Sequence, residues 1–173
     1  MLPLEIVDPV RAHPLVVAAL RRYGLVADVV ACDPALADTA AFCEAYGFSP
    51  ADSANTIVVI GKGPDPAPLA ACLVLATTRL DVNGTVRCRF ATKKASFAPQ
   101  DLACERTGME YGGVTAVGLP DDLELWIDPA VMARPVIVVG GGNRSTKVRL
   151  VPTELLKLPS AVVVDDLATP LSH

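Results

Sequence analysis

A chain of 173 residues with 51% apolar side chains lies within the range of one folded domain and can fill a single core. A formal net charge of -4 excludes a global attraction to nucleic acid, so any contact with RNA has to come from a local basic patch. The mean hydropathy of +0.42 raises the question of a membrane span, but the longest uncharged run, Pro66 to Thr78, is shorter than the roughly 18 to 20 residues a spanning helix needs.

In chain order, Met1 to Glu5 has no basic stretch and meets Glu5 and Asp8 before any positive charge, which is unlike a secretory leader; a cytoplasmic protein is expected. The apolar positions Val10, Leu15, Val16, Ala19 and Leu20 share a helical face and predict a helix over Val10 to Tyr23, stopped by Gly24. Valine-rich Leu25 to Cys32 predicts a strand, and Asp33-Pro34 a turn. A second helix, capped by Asp38-Thr39 and ended by Gly47, has Phe42, Cys43 and Tyr46 on its apolar side. Ser49-Pro50-Ala51-Asp52 starts a short third helix. Asn55 to Gly61 and Leu69 to Thr77 predict an antiparallel pair around the turn Gly61 to Pro66.

Val82 to Ala91 fits either a helix or a strand, because Asn83-Gly84 permits a hairpin. Lys94 to Ala98 predicts a strand, and Pro99 to Thr107 a helix stopped by Gly108. The loop Tyr111 to Pro120 holds Gly112, Gly113 and Gly118, which implies a sharp turn or a close approach to its backbone. Strands are expected at Glu124 to Ile127, Pro135 to Gly140 and Lys147 to Val151, then a helix over Pro152 to Leu158, with Ala161 to Val164 closing the sheet. Short connections between strands, with helices early and late, favour an α+β fold over regular βαβ winding. The whole chain, 1-173, reads as one domain, with residues 1-36 an N-terminal helix-strand segment of it.

The five cysteines, Cys32, Cys43, Cys72, Cys88 and Cys104, are scattered and never spaced as C-x-x-C, which argues against a disulfide framework or a zinc site. They read as reduced and mostly buried. His13 and His173 are the only histidines, too few for histidine-based triads or multi-histidine metal sites, so no metal and no cofactor are expected. The run Gly140 to Lys147 fails as a phosphate-binding loop because Ser145 and Thr146 precede Lys147, whereas that loop needs the lysine directly after its last glycine. No dinucleotide fingerprint and no nucleophile elbow occur. Asp121-Asp122 and Asp165-Asp166 read as surface pairs, and the lone Trp126 as a core residue.

Four segments, in order, carry a resemblance: Ala54 to Val59, Lys93 to Ala98, Thr107-Gly108 through Pro120, and Gly140 through Pro152. Together they are similar to the YbaK/EbsC family of aminoacyl-tRNA deacylases, which includes the editing domain inserted in some prolyl-tRNA synthetases. The resemblance implies a mixed, barrel-like β-sheet flanked by helices. It also implies hydrolysis of the ester joining a small wrong amino acid, of the alanine or cysteine type, to tRNA. In that family the loop amides and the substrate's terminal ribose hydroxyl position the water, without a conventional base.

Carried onto this sequence, the resemblance gives Asn55, Gly112, Gly113, Ala116 and Gly118 as catalytic positions. Thr56, Lys94, Thr115, Gly140, Gly141, Gly142 and Arg144 become substrate contacts, with Lys94 or Arg144 near the terminal phosphates. The partner implied is the acceptor end of aminoacyl-tRNA, with a synthetase as a further candidate. Two departures bear on activity: the family's lysine is Asn55 here, and the proline of its Gly-x-x-x-Pro loop is Ala116. Asparagine donates a neutral hydrogen bond where lysine would give a charged one, and alanine leaves the loop less stiff than proline. The alternative function is therefore a module of the same fold that binds aminoacyl-tRNA or a small ligand without turning it over. From the residues alone, Gly112, Gly113 and Gly118 read as a tight turn and Gly140 to Gly142 as a strand end that twists or packs against another backbone, and Arg87, Arg89 and Arg149 are solvated surface charges.

Overall fold

The computed structural model describes residues 1–172. The N-terminal segment begins with a two-residue strand, β1 (Ile6–Val7), and a 3-10 turn at Pro9–Arg11, followed by helix α1 (Pro14–Arg22) and strand β2 (Ala27–Ala31). The expected single helix from Val10 is broken at His13, because a residue before proline is driven out of the helical region. His13 serves instead as the N-cap of α1, its Nδ1 accepting from the Leu15 amide at 3.2 Å. Helix α2 (Thr39–Tyr46) ends on Gly47 in the left-handed conformation, φ +69°. Asp38 precedes it without capping it through its side chain.

Strands β3 (Ala54–Lys62) and β4 (Leu69–Leu75) form the expected antiparallel hairpin, with Asn55 opposite Val74 and Val59 opposite Ala70. A three-residue strand, β5 (Thr78–Leu80), follows. The ambiguous stretch after it is helical: a wide turn over Val82–Val86 leads into α3 (Arg87–Phe90). Asp81 decides between helix and hairpin, since its carboxylate accepts from the amides of Gly84 and Thr85 at 3.0 Å each. Strand β6 (Lys94–Phe97) and helix α4 (Gln100–Thr107) lead to the glycine-rich loop and then to β7 (Leu125–Ile127). The short helix α5 (Pro129–Met132), capped by Asp128, was not expected. Strands β8 (Ile137–Gly140) and β9 (Thr146–Leu150) form a hairpin, the expected helix after it is a 3-10 helix over Pro152–Lys157, and β10 (Ala161–Val163) and β11 (Ala168–Pro170) follow.

The strands make an α+β arrangement of mixed sheets. One sheet runs β1-β2-β9-β8, all antiparallel; a second runs β10-β7-β4-β3-β6, with parallel pairing of β7 to both β4 and β10; β11 pairs with β5. A parallel bridge between Ser53 and Val138 joins the two larger sheets at one seam. The assembly is thus barrel-like but not closed, and β10 ends the second sheet as an edge strand rather than closing it.

The main core lies between these sheets and α1, with Val16, Val29, Leu73, Leu125, Ile137 and Val148 fully buried. The other face of the second sheet packs Val59, Cys72 and Val74 against Val86, Leu167 and Trp126, whose ring meets Phe90 at 4.9 Å. A third cluster of Val30, Cys32, Ala37, Phe42 and Val138 sits beneath α2. Among the described residues, no helix is long and apolar enough to cross a membrane.

All five cysteines are free; Cys32, Cys43 and Cys72 are buried, Cys88 is exposed and Cys104 half-buried. Burial pushes the Cys72 thiol up to about 12. Native-state alkylation followed by mass spectrometry is therefore expected to modify Cys88 first and to leave Cys72 untouched until the protein is unfolded. Labelling of both at one rate would contradict this packing.

Candidate functional site

The seam between the two sheets opens into a cleft of about 530 Å³. Its walls come from the start of β3 (Ala54 to Val58), the start of α2, the β6–α4 junction, the loop at Tyr111 to Val114, and the strands β8 and β9. Most of the lining is apolar, with a few polar groups at fixed places, the usual composition of a small-ligand site.

Asn55 lines this cleft, and its Oδ1 accepts a hydrogen bond from Thr39 Oγ1 at 2.6 Å. That bond fixes the amide so that its Nδ2 is the free donor. Thr56 also lines the cleft, and its buried Oγ1 has no hydrogen-bond partner among the described residues. A buried hydroxyl without a partner is costly, and a ligand polar atom is one way to satisfy it.

Of the loop glycines, Gly112 is on the cleft surface, with φ +75° and the Arg144 guanidinium packed where a side chain would project. Gly113 lies behind it, and its amide is committed to the Glu110 carbonyl at 2.9 Å. Among the described residues, the N–H groups of Tyr111, Gly112 and Val114, all from residues of the cleft lining, make no hydrogen bond within the chain. Thr115 and Ala116 are fully buried, Ala116 in the main core, and Gly118 packs on the backbone of α1 at Leu15; none of the three lines the cleft.

Gly140 lines the cleft at the end of β8. Gly141 and Gly142 are buried behind it, Gly141 against Thr146 and Gly142 against His13. The two glycine-rich segments touch backbone to backbone: Gly142 N–H donates to the Gly113 carbonyl at 2.8 Å, and a Cβ on Gly140 would lie 2.8 Å from that same oxygen. Close approach of two main chains explains the glycines here. The turn between β8 and β9 is held by Asn143, whose Oδ1 accepts from Thr146 Oγ1 at 2.7 Å and whose amide donates to the Arg11 carbonyl at 3.0 Å.

Arg144 stands at the rim, donating from Nη2 to the Pro34 carbonyl at 2.9 Å and lying 3.9 Å from Asp38. Lys94 is exposed, opposite Lys62 at the far end of β6, and does not line the cleft. Arg149 pairs with Asp28 at 2.6 Å, and Arg89 covers the Trp126 ring at 5.0 Å, both away from the cleft.

Sequence reasoning offered Lys147 only as one of several cations that could meet tRNA phosphates, and gave it no place in the cleft. It lines the cleft while only 8% exposed, lies 5.4 Å from the centre of the Phe42 ring, and donates from Nζ to the Ala37 carbonyl at 2.6 Å. Burial lowers its pKa, and the neighbouring Cys32, Asp38 and Cys43 counteract that shift in part. The signal was in the strand pattern: Lys147 faces the side opposite Val148 and Leu150, with Val30 beside it in register, and α2 covers that side. Two exposed aromatics at the rim, Phe97 and Tyr111, were also missed. Among the described residues, no group of three or more His, Cys, Asp or Glu side chains is placed to hold a metal ion.

Comparison with known proteins adds three findings. A family model for the aminoacyl-tRNA editing domain matches residues 33–158. The crystal structure of a candidate trans-editing enzyme for prolyl tRNA synthetase is similar with a TM-score of 0.74 at 25% identity, over 93% of this chain and 98% of that one. The hypothetical protein APE2540 is similar with a TM-score of 0.79 at 22% identity, over 90% of this chain and 99% of that one, which shows a shared fold.

Proposed function

This chain belongs to the aminoacyl-tRNA editing domain family, and on that premise we propose that it hydrolyses mischarged aminoacyl-tRNA in trans, acting on a small amino acid of the alanine or cysteine type. The observation that carries this reading is the cleft at the sheet seam, where Asn55, Thr56, Gly112 and Gly140 meet from three separate segments. The acceptor end of the tRNA enters at the rim, where Phe97 and Tyr111 offer exposed rings for stacking a terminal base and Arg144 offers a guanidinium for phosphate. The whole chain acts as one editing domain in the cytoplasm, alone or beside a synthetase.

In the reaction, water oriented by the substrate's terminal ribose hydroxyl attacks the ester carbonyl carbon. Asn55 Nδ2 orients the ester, and the amides of Gly112 and Val114 receive the charge that develops on the carbonyl oxygen, as fixed donors do in an oxyanion hole. The ester C–O bond then breaks, the departing ribose oxygen takes up a proton, and free amino acid and tRNA result.

Metal-free deacylation of a panel of mischarged tRNAs, including alanyl and cysteinyl esters, tests this. The protein is expected to accelerate at least one ester well beyond buffer. Asn55→Lys is expected to raise that rate about tenfold, because a charged hydrogen bond contributes about 1.5 to 3 kcal/mol against about 0.5 to 1.5 for a neutral one. If neither version hydrolyses any ester while charged tRNA still binds, a non-catalytic binding module replaces the enzyme.

A further inference from the structure

Among the described residues, Lys147 is the one buried charged group of the cleft, and the reaction above leaves it unused. A buried ammonium is expensive unless something compensates its charge, and its surroundings are poorly suited to that. The titratable or charged groups facing it are Cys32 at the end of β2, Asp38 ahead of α2, Cys43 within α2 and Arg144 ahead of β9. Only Asp38 is a carboxylate, and its side chain is 82% exposed and lies within 3.9 Å of Arg144, a competing cation. No salt bridge to Lys147 forms among the described residues. The Ala37 carbonyl takes one of three ammonium donors, and the Phe42 ring faces the charge without accepting a conventional hydrogen bond.

Its position links it to Asn55. Asn55 is tied to Thr39 and Lys147 to Ala37, two residues apart at the corner leading into α2, so both side chains are anchored to the same short piece of main chain on one side of the cleft. They arrive there from different sheets, Asn55 on β3 and Lys147 on β9.

We infer that Lys147 is the cationic anchor of the cleft, donating from its ammonium to the oxygen atoms of the acyl ester that Asn55 orients. This rests on the editing reading and deepens it: the positive charge absent from β3 at Asn55 is delivered from β9. A bound oxygen ligand also explains how the cost of burying the ammonium is offset during function, since charge-assisted bonds are the stronger class.

The test uses binding, so that it stands apart from turnover. The probe is adenosine carrying alanine through a 3'-amide, which cannot be hydrolysed by the ester route. In protein with isotope-labelled lysine, the side-chain nuclear magnetic resonance of Lys147 is followed through a pH titration with and without the probe. Bound oxygen atoms favour the charged amine, so the titration is expected to move to higher pH on binding. Lys147→Met, which keeps an apolar stem of similar length over Phe42, is expected to weaken binding about ten- to a hundredfold.

Binding to the unmodified protein is expected to weaken as pH rises through the lowered lysine pKa, while Lys147→Arg, charged throughout, gives a flatter profile. An unmoved titration of Lys147, or no binding of the probe, overturns the anchor whether or not any ester is turned over. Failure of the whole tRNA panel overturns the editing reading instead, and the two failures are read separately.

Discussion

Phe42→Ala is expected to lower stability by about 3 to 5 kcal/mol, the range for truncating a buried aromatic. The ring is 1% exposed and is the centre of the cluster beneath α2, stacked on Tyr46 at 4.8 Å and tilted against Phe48 at 6.0 Å. It is also the apolar floor against which Lys147 rests. Removing it leaves a void continuous with the cleft, so stability and ligand binding are lost together. Urea unfolding with a folded-state spectroscopic probe measures the first and titration with the amide-linked alanyl adenosine the second. Phe42→Leu, which refills most of the space, should recover much of the stability. A loss below 1 kcal/mol for the alanine variant would mean that the helix does not depend on this ring.

Gly113→Ala is the second large effect, and its cause is space alone. A Cβ there would lie 2.7 Å from the carbonyl carbon and oxygen of Asn143 and 2.8 Å from its nitrogen. Those are main-chain atoms at the end of a β-hairpin and cannot turn aside as a side chain can. Overpacking of this kind costs about 1 to 3 kcal/mol, and separating the two segments also strains the 2.8 Å bond from Gly142 to Gly113. Gly24→Ala is the matched control: φ is +59° but nothing lies within 4 Å of the added carbon, so only the backbone conformation is penalised, by about 1 to 2 kcal/mol. Thermal unfolding of both variants, together with ligand binding, separates the two costs. Binding should fall for Gly113→Ala and hold for Gly24→Ala. Equal effects on binding would remove the contact between the loops from the account.

Much of this architecture was legible in the sequence where local chemistry and tertiary packing agree. The hairpin of β3 and β4 follows from two apolar stretches around a glycine- and proline-rich turn, and α4 is bracketed by Pro99 and Gly108. The short pieces were not legible: β1, β5 and β11 are two or three residues long, too few to show a period, and exist because neighbouring strands offer them hydrogen-bonding partners. Helix α5 did carry a signal, Asp128-Pro129, with the Asp128 carboxylate accepting from Ala130 at 2.9 Å.

At the site, Asn55, Thr56, Gly112 and Gly140 share one cleft. Ala116 sits in the core and Lys94 at a sheet end because positions close in sequence to a cleft residue can face away from it. Lys147 read as a candidate surface phosphate contact and not as a cleft residue for a related reason. Strand alternation places it opposite the main core, where solvent would be expected, and only the packing of α2 over that face makes it buried.

The contact between the two glycine-rich segments has an implication for how such a pocket could be redesigned. One wall is main chain lying on main chain, so it offers no side chain to exchange, and lengthening any residue at its contact points forces the strands apart. Other parts of the lining, Thr39 and Phe42 on α2 and Gln100 and Ala103 on α4, are side chains borne on helices. A library aimed at a new acyl group belongs on Gln100 and Ala103 of α4, with the glycine wall, Thr39 and the Phe42 ring left as a fixed template.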